Sequence, residues 1–221
     1  MQKFCLFTFE KNLSQYKMKG IENIIFDLGG VIINLNNKLT ENAFVELGAK
    51  DFNKFFGHGF AASFFKDYEV GKITSEEFIN NIKQLGDFSM HGDDKIINAW
   101  NVMLLDFPKE RIELLKALGN RYRIFLFSNT NALHYEEVRK IYQQTFNEEM
   151  NDLFEKTYYS HTHQMRKPDI SSYQFIINEN KLNAASTLFV DDAFINIQGA
   201  IDAGLQGLYL PPSISIMDIK W

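Results

Sequence analysis

"IIFDLGGVII", residues 24–33, is an apolar run broken by an aspartate and a pair of glycines. A short apolar run that stops at such a turn signal predicts a strand buried on both faces, and strands of that kind belong to parallel sheets covered by helices. The strand ends by delivering the carboxylate of Asp27 to a backbone turn. In open parallel sheets, ligands bind beyond the carboxyl ends of the strands.

The flanking sequence repeats the pattern. "NIIFD" (23–27), "YRIFLFSNT" (122–130), "TLFVDD" (187–192) and "GLYL" (207–210) read as strands, and Pro211-Pro212 ends the last. Helical periodicity separates them: Ile112, Leu115 and Leu118 after Pro108; Tyr173, Ile176 and Ile177 after Pro168; Ile197, Ala200, Ile201 and Gly204 after the aspartate pair. Strand and helix alternate, which predicts an α/β fold with a mostly parallel sheet. Residues 37–105 break the rhythm and read as a separate helical unit. In "TSEEFINNIKQL", Thr74 and Glu77 have capping-box spacing while Phe78, Ile82 and Leu85 share a face; "DDKIINAWNVMLL" is a second helix. The expected organisation is an N-terminal extension over 1–17, a core from 18–36 and 106–221, and a helical insertion over 37–105.

Composition excludes several classes. The chain of 221 residues is 45% hydrophobic and carries a net charge of −5 with no basic run, so it lacks the footprint that binds a nucleic acid backbone. Cys5 is the one cysteine, which excludes an internal disulfide or a thiolate metal site and suits a reducing compartment. Glu10 and Lys11 interrupt the early apolar patch before it reaches signal-peptide length, and no segment approaches the roughly 20 apolar residues of a membrane span. A cytoplasmic protein with neither a nucleic acid nor a membrane partner is expected, and nothing in the sequence sets an oligomeric state.

The strand ends bring Asp27, Ser128 with Asn129, and Asp191 with Asp192 to one rim. Each alone is more often a cap or turn former than a catalyst; together they offer specific chemistry. Carboxylates from two strands make an all-oxygen site suited to Mg²⁺. A carboxylate can also attack phosphorus, and hydroxyl and backbone donors at "SNT" with the cation of Lys167 in "MRKPD" are of the types that stabilise a phosphoryl group.

The order of these residues resembles the motifs of the haloacid dehalogenase superfamily: "FDLGGV" the first, "LFSNT" the second, "MRKPD" the third and "FVDDAFIN" the fourth, covering the chain from Ile24 onward. The insertion between the first and second resembles a C1 helical cap on a Rossmann-like doubly wound parallel sheet. Within the superfamily the chain looks closest to sugar-phosphate phosphatases and to the phosphatase domain at the N-terminus of epoxide hydrolases. The resemblance implies Asp27 as nucleophile; Ser128, Lys167 and the backbone N–H groups of Asn129 and Thr130 as phosphate ligands; and Asp27, Asp192, Asp191 and the carbonyl of Gly29 around Mg²⁺. Asn196 would fix Lys167 or the aspartate pair.

One departure stands out. Phosphatases of the superfamily usually carry a second Asp two positions after the nucleophile, as general acid and base; here that position is Gly29. General acid–base catalysis contributes ~10²–10⁴-fold, so a good leaving group, a relaying water or a cap residue would have to compensate. The turn chemistry of "FGHGF" (56–60) favours a plain connection between cap helices; His58 within it is the first cap residue to test as a contact to substrate or a substitute acid. "HTH" at 161–163 has metal-like spacing only if it is a strand, and without further Cys or His nearby the favoured placement is the loop before Lys167. The expected function is a Mg²⁺-dependent phosphatase acting on a small phosphorylated metabolite, a hexose 1-phosphate first. The alternatives are a 2-haloacid dehalogenase, for which the extra carboxylates are unsuited, and a module that binds phosphate or a protein without turnover.

Overall fold

The computed structural model describes residues 18–49 and 63–221, together with the backbone of Cys5–Leu6. Among the described residues, six strands, β1 (Cys5–Leu6), β2 (Asn23–Phe26), β3 (Arg123–Ser128), β4 (Lys156–Tyr159), β5 (Thr187–Asp191) and β6 (Gln206–Tyr209), form one sheet in the order β1-β6-β5-β2-β3-β4. Every pairing is parallel.

Alternation along the strands builds two apolar layers, as a pleat of period two requires. Ile24 and Phe26 of β2, with Leu126, Val190 and Leu208, face α5 (Lys109–Gly119) and α6 (Ala132–Phe146). Ile25, with Phe125, Phe127 and Phe189, faces α8 (Ile170–Glu179) and α9 (Phe194–Asp202). The sheet is therefore doubly wound, and its central strand β2 is buried over all four residues.

Among the described residues, four helices lie between β2 and α5: α1 (Asn37–Glu46), α2 (Ser63–Glu69), α3 (Ser75–Gly86) and α4 (Asp93–Asn101). They have their own apolar cluster, with Phe44, Phe78, Ile82 and Ile96 completely buried. Thr74 and Glu77 exchange both bonds of a capping box at the start of α3. The two connections to the sheet run side by side: Leu35 bridges Leu104, the N–H of Asn36 donates to the carbonyl of Met103 at 2.9 Å, and Asn34 Nδ2 donates to Asp106 Oδ1 at 3.1 Å. Among the described residues no helix is long and apolar enough to cross a membrane.

Two strands lie outside those read from the sequence, β4 and the two-residue β1, the latter within the expected N-terminal extension. "HTH" is neither the strand that metal spacing would need nor the favoured loop: Ser160–His163 is one helical turn, α7. Residues two apart on a helix do not share a face, so the spacing of His161 and His163 loses its significance for a metal.

Candidate active site

Three carboxylates and one ammonium meet at the carboxyl end of the sheet. The register that pairs Phe26 with Val190 places Asp27, the residue after β2, beside Asp191, the last residue of β5. The Asp27 N–H donates to the carbonyl of Val190 at 2.9 Å, which extends the ladder to the site itself. Carboxylate oxygens of Asp27, Asp191 and Asp192 lie within 4.8 Å of one another. Lys167 enters from the connection between α7 and α8, its Nζ 2.6 Å from Asp27 Oδ1 and 2.7 Å from Asp191 Oδ2.

One ammonium does not balance three carboxylates. Burial pushes the Asp27 carboxyl up to about 7; Lys167 opposes the rise, while the charges of Asp191 and Asp192 add to it. Burial, then the Asp191 charge, also raises Asp192. Burial disfavours the Lys167 ammonium, but Asp191 and Asp27 more than offset that and hold its pKa above the ordinary lysine value. Excess negative charge on an oxygen-only donor set fits a small hard cation such as Mg²⁺.

The neighbours of each carboxylate separate their duties. Asp191 is held by three donors: beyond Lys167 it accepts the Ala193 N–H at 2.7 Å and Asn196 Nδ2 at 3.1 Å on both oxygens. The carbonyl of Asn196 in turn accepts the hydroxyl of buried Tyr173 at 2.7 Å. Asp192 is partly exposed and packs on bare backbone, for Gly30 has φ +70° and a Cβ there would stand 2.2 Å from Asp192 Oδ2. Gly30 is a site residue that the sequence reading passed over in favour of Gly29; the double glycine was the available signal. At Gly29 a Cβ would meet only the tip of Leu35, Cδ1 at 2.8 Å.

The end of β3 and the residues after it have distinct partners. Ser128 is buried at the strand end, with no side-chain hydrogen bond among the described residues. Asn129 uses its side chain on the lysine loop: Oδ1 accepts the Lys167 N–H at 2.9 Å and Nδ2 donates to the Lys167 carbonyl at 3.0 Å. The Thr130 N–H, expected to serve a phosphate, donates to Ser160 Oγ at 2.9 Å, and that hydroxyl returns a bond to the Thr130 carbonyl at 2.7 Å. Thr130 is thus tied to α7, a partner 30 residues away. His58 and the stretch 56–60 lie outside the described residues.

A family model for haloacid dehalogenase-like hydrolases matches residues 21–204. The chain belongs to this family. It is 28% identical over 188 residues, 84% of this chain and 90% of the relative, to D-ribitol-5-phosphate phosphatase of Bacteroides thetaiotaomicron. It is 25% identical to the sesquiterpene phosphatase astK of Aspergillus oryzae, over 86% of this chain and 90% of that one. Its fold superposes with TM-score 0.80 and 32% identity on the crystal structure of a wild-type haloacid dehalogenase family enzyme of Bacteroides thetaiotaomicron in complex with magnesium and inorganic phosphate, covering 88% of this chain and 96% of that one.

In this haloacid dehalogenase-like hydrolase the helical unit reaches the site rim through α2 and α4. Tyr68 Oη accepts the Leu133 N–H at 3.0 Å, and Trp100 stacks on His134 with ring centroids 4.9 Å apart. A cleft of about 460 Å³ opens on the outer side of Asp192, between Asn34, Arg111 and the loop after β6. Several of its polar groups are already engaged: Asn34 with Asp106, and Asp218 with the Ser215 N–H.

Proposed function

We propose that this hydrolase is a Mg²⁺-dependent phosphatase of a small phosphomonoester that works through an aspartyl phosphate on Asp27. The observation that carries the reading is the Lys167 ammonium held between Asp27 and Asp191 with Asp192 at the same rim. An Asp27 oxygen attacks phosphorus in line, the bond to the leaving oxygen breaks, and that oxygen takes a proton from solvent water, which the second step's attacking water returns to solvent. Water then attacks the phosphorus of the acyl phosphate, releasing inorganic phosphate and restoring the carboxylate. Lys167 and Ser128 hold the transferring oxygens, with the Asn129 N–H as backbone donor.

Asp27, Asp192 and the Gly29 carbonyl would hold Mg²⁺, with Asp191 beside them directly or through water; when bound, the cation neutralises charge on the phosphoryl oxygens. Asn196 orients Asp191, and Asp191 orients Lys167. Residues 37–105 act as a cap over the core of 18–36 and 106–221, excluding bulk water and selecting the leaving group. The carboxylate excess speaks against a dehalogenase, whose substrate brings a carboxylate of its own.

Gly29 and the relatives bear on the substrate class in different ways. A hexose 1-phosphate compensates for the missing acid with a better leaving group, whereas ribitol 5-phosphate, named for one relative, is an ordinary alcohol ester. The test is phosphate release from both, and from an aryl phosphate, with Mg²⁺ and with chelator. Metal-dependent release supports the reading. Halide release from a 2-haloacid without metal, or silence on every ester, would remove it.

A further inference from the structure

One short segment closes the seam between the helical unit and the rim. Tyr68, Glu69 and Gly71, at the end of α2, each meet a different rim element. Tyr68 Oη accepts the Leu133 N–H at the start of α6, at 3.0 Å. Gly71, with φ +70°, approaches α7 so closely that a Cβ would lie 2.1 Å from the His161 carbonyl oxygen. Glu69 Oε1 accepts Arg166 Nε at 2.6 Å. Arg166 directly precedes Lys167, and its own carbonyl accepts the Asp169 N–H at 3.1 Å and Ser172 Oγ at 3.0 Å.

The loop carrying Lys167 is therefore held from two sides. Asn129 grips its backbone from the core, and the Arg166 side chain links it to the helical unit. We propose that the Glu69–Arg166 pair is a clasp that couples closure of the helical unit to the position of the Lys167 loop, making both partners positioning residues for the transfer. The kinetic half of this inference rests on the phosphatase reading above; the coupling itself does not. Each partner is more than a quarter exposed, 29% for Glu69 and 27% for Arg166, so the pair adds little to folding stability. An equilibrium between open and closed forms that lies near balance still responds to a small bias.

The experiment uses the full chain as wild type, Glu69→Gln, Arg166→Gln and the double exchange Glu69→Arg with Arg166→Glu. Amide hydrogen exchange is followed at Leu133 and Lys167, whose N–H groups bond to Tyr68 and Asn129. Both amides should exchange several-fold faster in the single variants and return toward the wild-type rate in the double exchange, with an unchanged urea midpoint. Unaltered exchange in the single variants, or no recovery in the double exchange, overturns the clasp whether or not phosphate is released. With an ester that the wild type hydrolyses, kcat/KM should fall about threefold to fivefold in each single variant and recover in the double exchange, the size set by a bias of up to about 1 kcal/mol, the range of exposed pairs. Equal kcat/KM in all forms, despite altered exchange, overturns the positioning role.

Discussion

Lys167 Nζ lies 2.6 Å from Asp27 Oδ1 and 2.7 Å from Asp191 Oδ2, so one ammonium holds together the carboxylates that follow β2 and end β5. All three side chains are buried. Removing one partner of such a cluster leaves unpaired charge in the interior, which costs about 3–5 kcal/mol. Lys167→Met should lower the unfolding free energy by that order in urea titrations at neutral pH and stop phosphate release. A loss below about 1 kcal/mol, the range of exposed pairs, would show that the carboxylates relax to solvent without it.

The two glycines after Asp27 should differ sharply. Gly30→Ala forces a side chain into the left-handed region and against Asp192 Oδ2, whereas Gly29→Ala displaces only the tip of Leu35. Disturbing a group that positions a metal ligand typically costs 10–100-fold in affinity, roughly. Calorimetric titration with Mg²⁺ should show that loss for Gly30→Ala and near-wild-type affinity for Gly29→Ala. Equal effects would mean that Gly30 does not shape the cation site.

Acidity at Asp27 sets the pH dependence of metal binding. Without a cation, burial raises its carboxyl to about 7, so the group is partly protonated at neutral pH, and a cation that needs the carboxylate must release that proton. Mg²⁺ affinity should rise with pH up to about 7 and level off above it. Titrations in buffers of different ionisation enthalpy should register the released proton; an affinity independent of pH between 6 and 8, roughly that window, would contradict the shift.

His134 makes stability sensitive to acid. Its ring stacks on Trp100, its Nε2 lies 3.2 Å from the Trp100 carbonyl, and burial lowers its pKa to about 4. The folded form resists the proton that the unfolded chain accepts near pH 6.5. The contribution is thus intact above that value and is lost as pH falls toward 4, by at most about 1.4 kcal/mol per pH unit. Urea midpoints should fall across this window in the wild type and fall less in His134→Gln; parallel profiles would assign the acid sensitivity elsewhere.

Parts of the fold were legible because of where burial lies. The runs over β2, β3 and β5 are apolar on both faces, and the aspartates at two of their ends stand out against them. β4 was hidden because it is an edge strand that begins with an exposed lysine and half-buried threonine, leaving two tyrosines as its only buried residues. Helix α6 escaped notice since Val138 and Tyr142 alone are buried among polar residues. At the site, residue types and order were readable while partners were not. Nothing local says that Asn129 spends its amide on Lys167, that Ser160 takes the Thr130 N–H, or which of two glycines has a positive φ.

The most direct measurement is the mass of the protein quenched in acid during turnover of an ester with Mg²⁺. With Gly29 in place of the general acid and base, hydrolysis of the acyl phosphate should be slow, so a fraction of wild-type chains should carry one phosphoryl group, mapped to the peptide containing Asp27. That adduct should vanish in Asp27→Asn and with chelator, and it should drain faster in Gly29→Asp. Phosphate release by Asp27→Asn, or an adduct on any other residue, would contradict nucleophilic attack by Asp27.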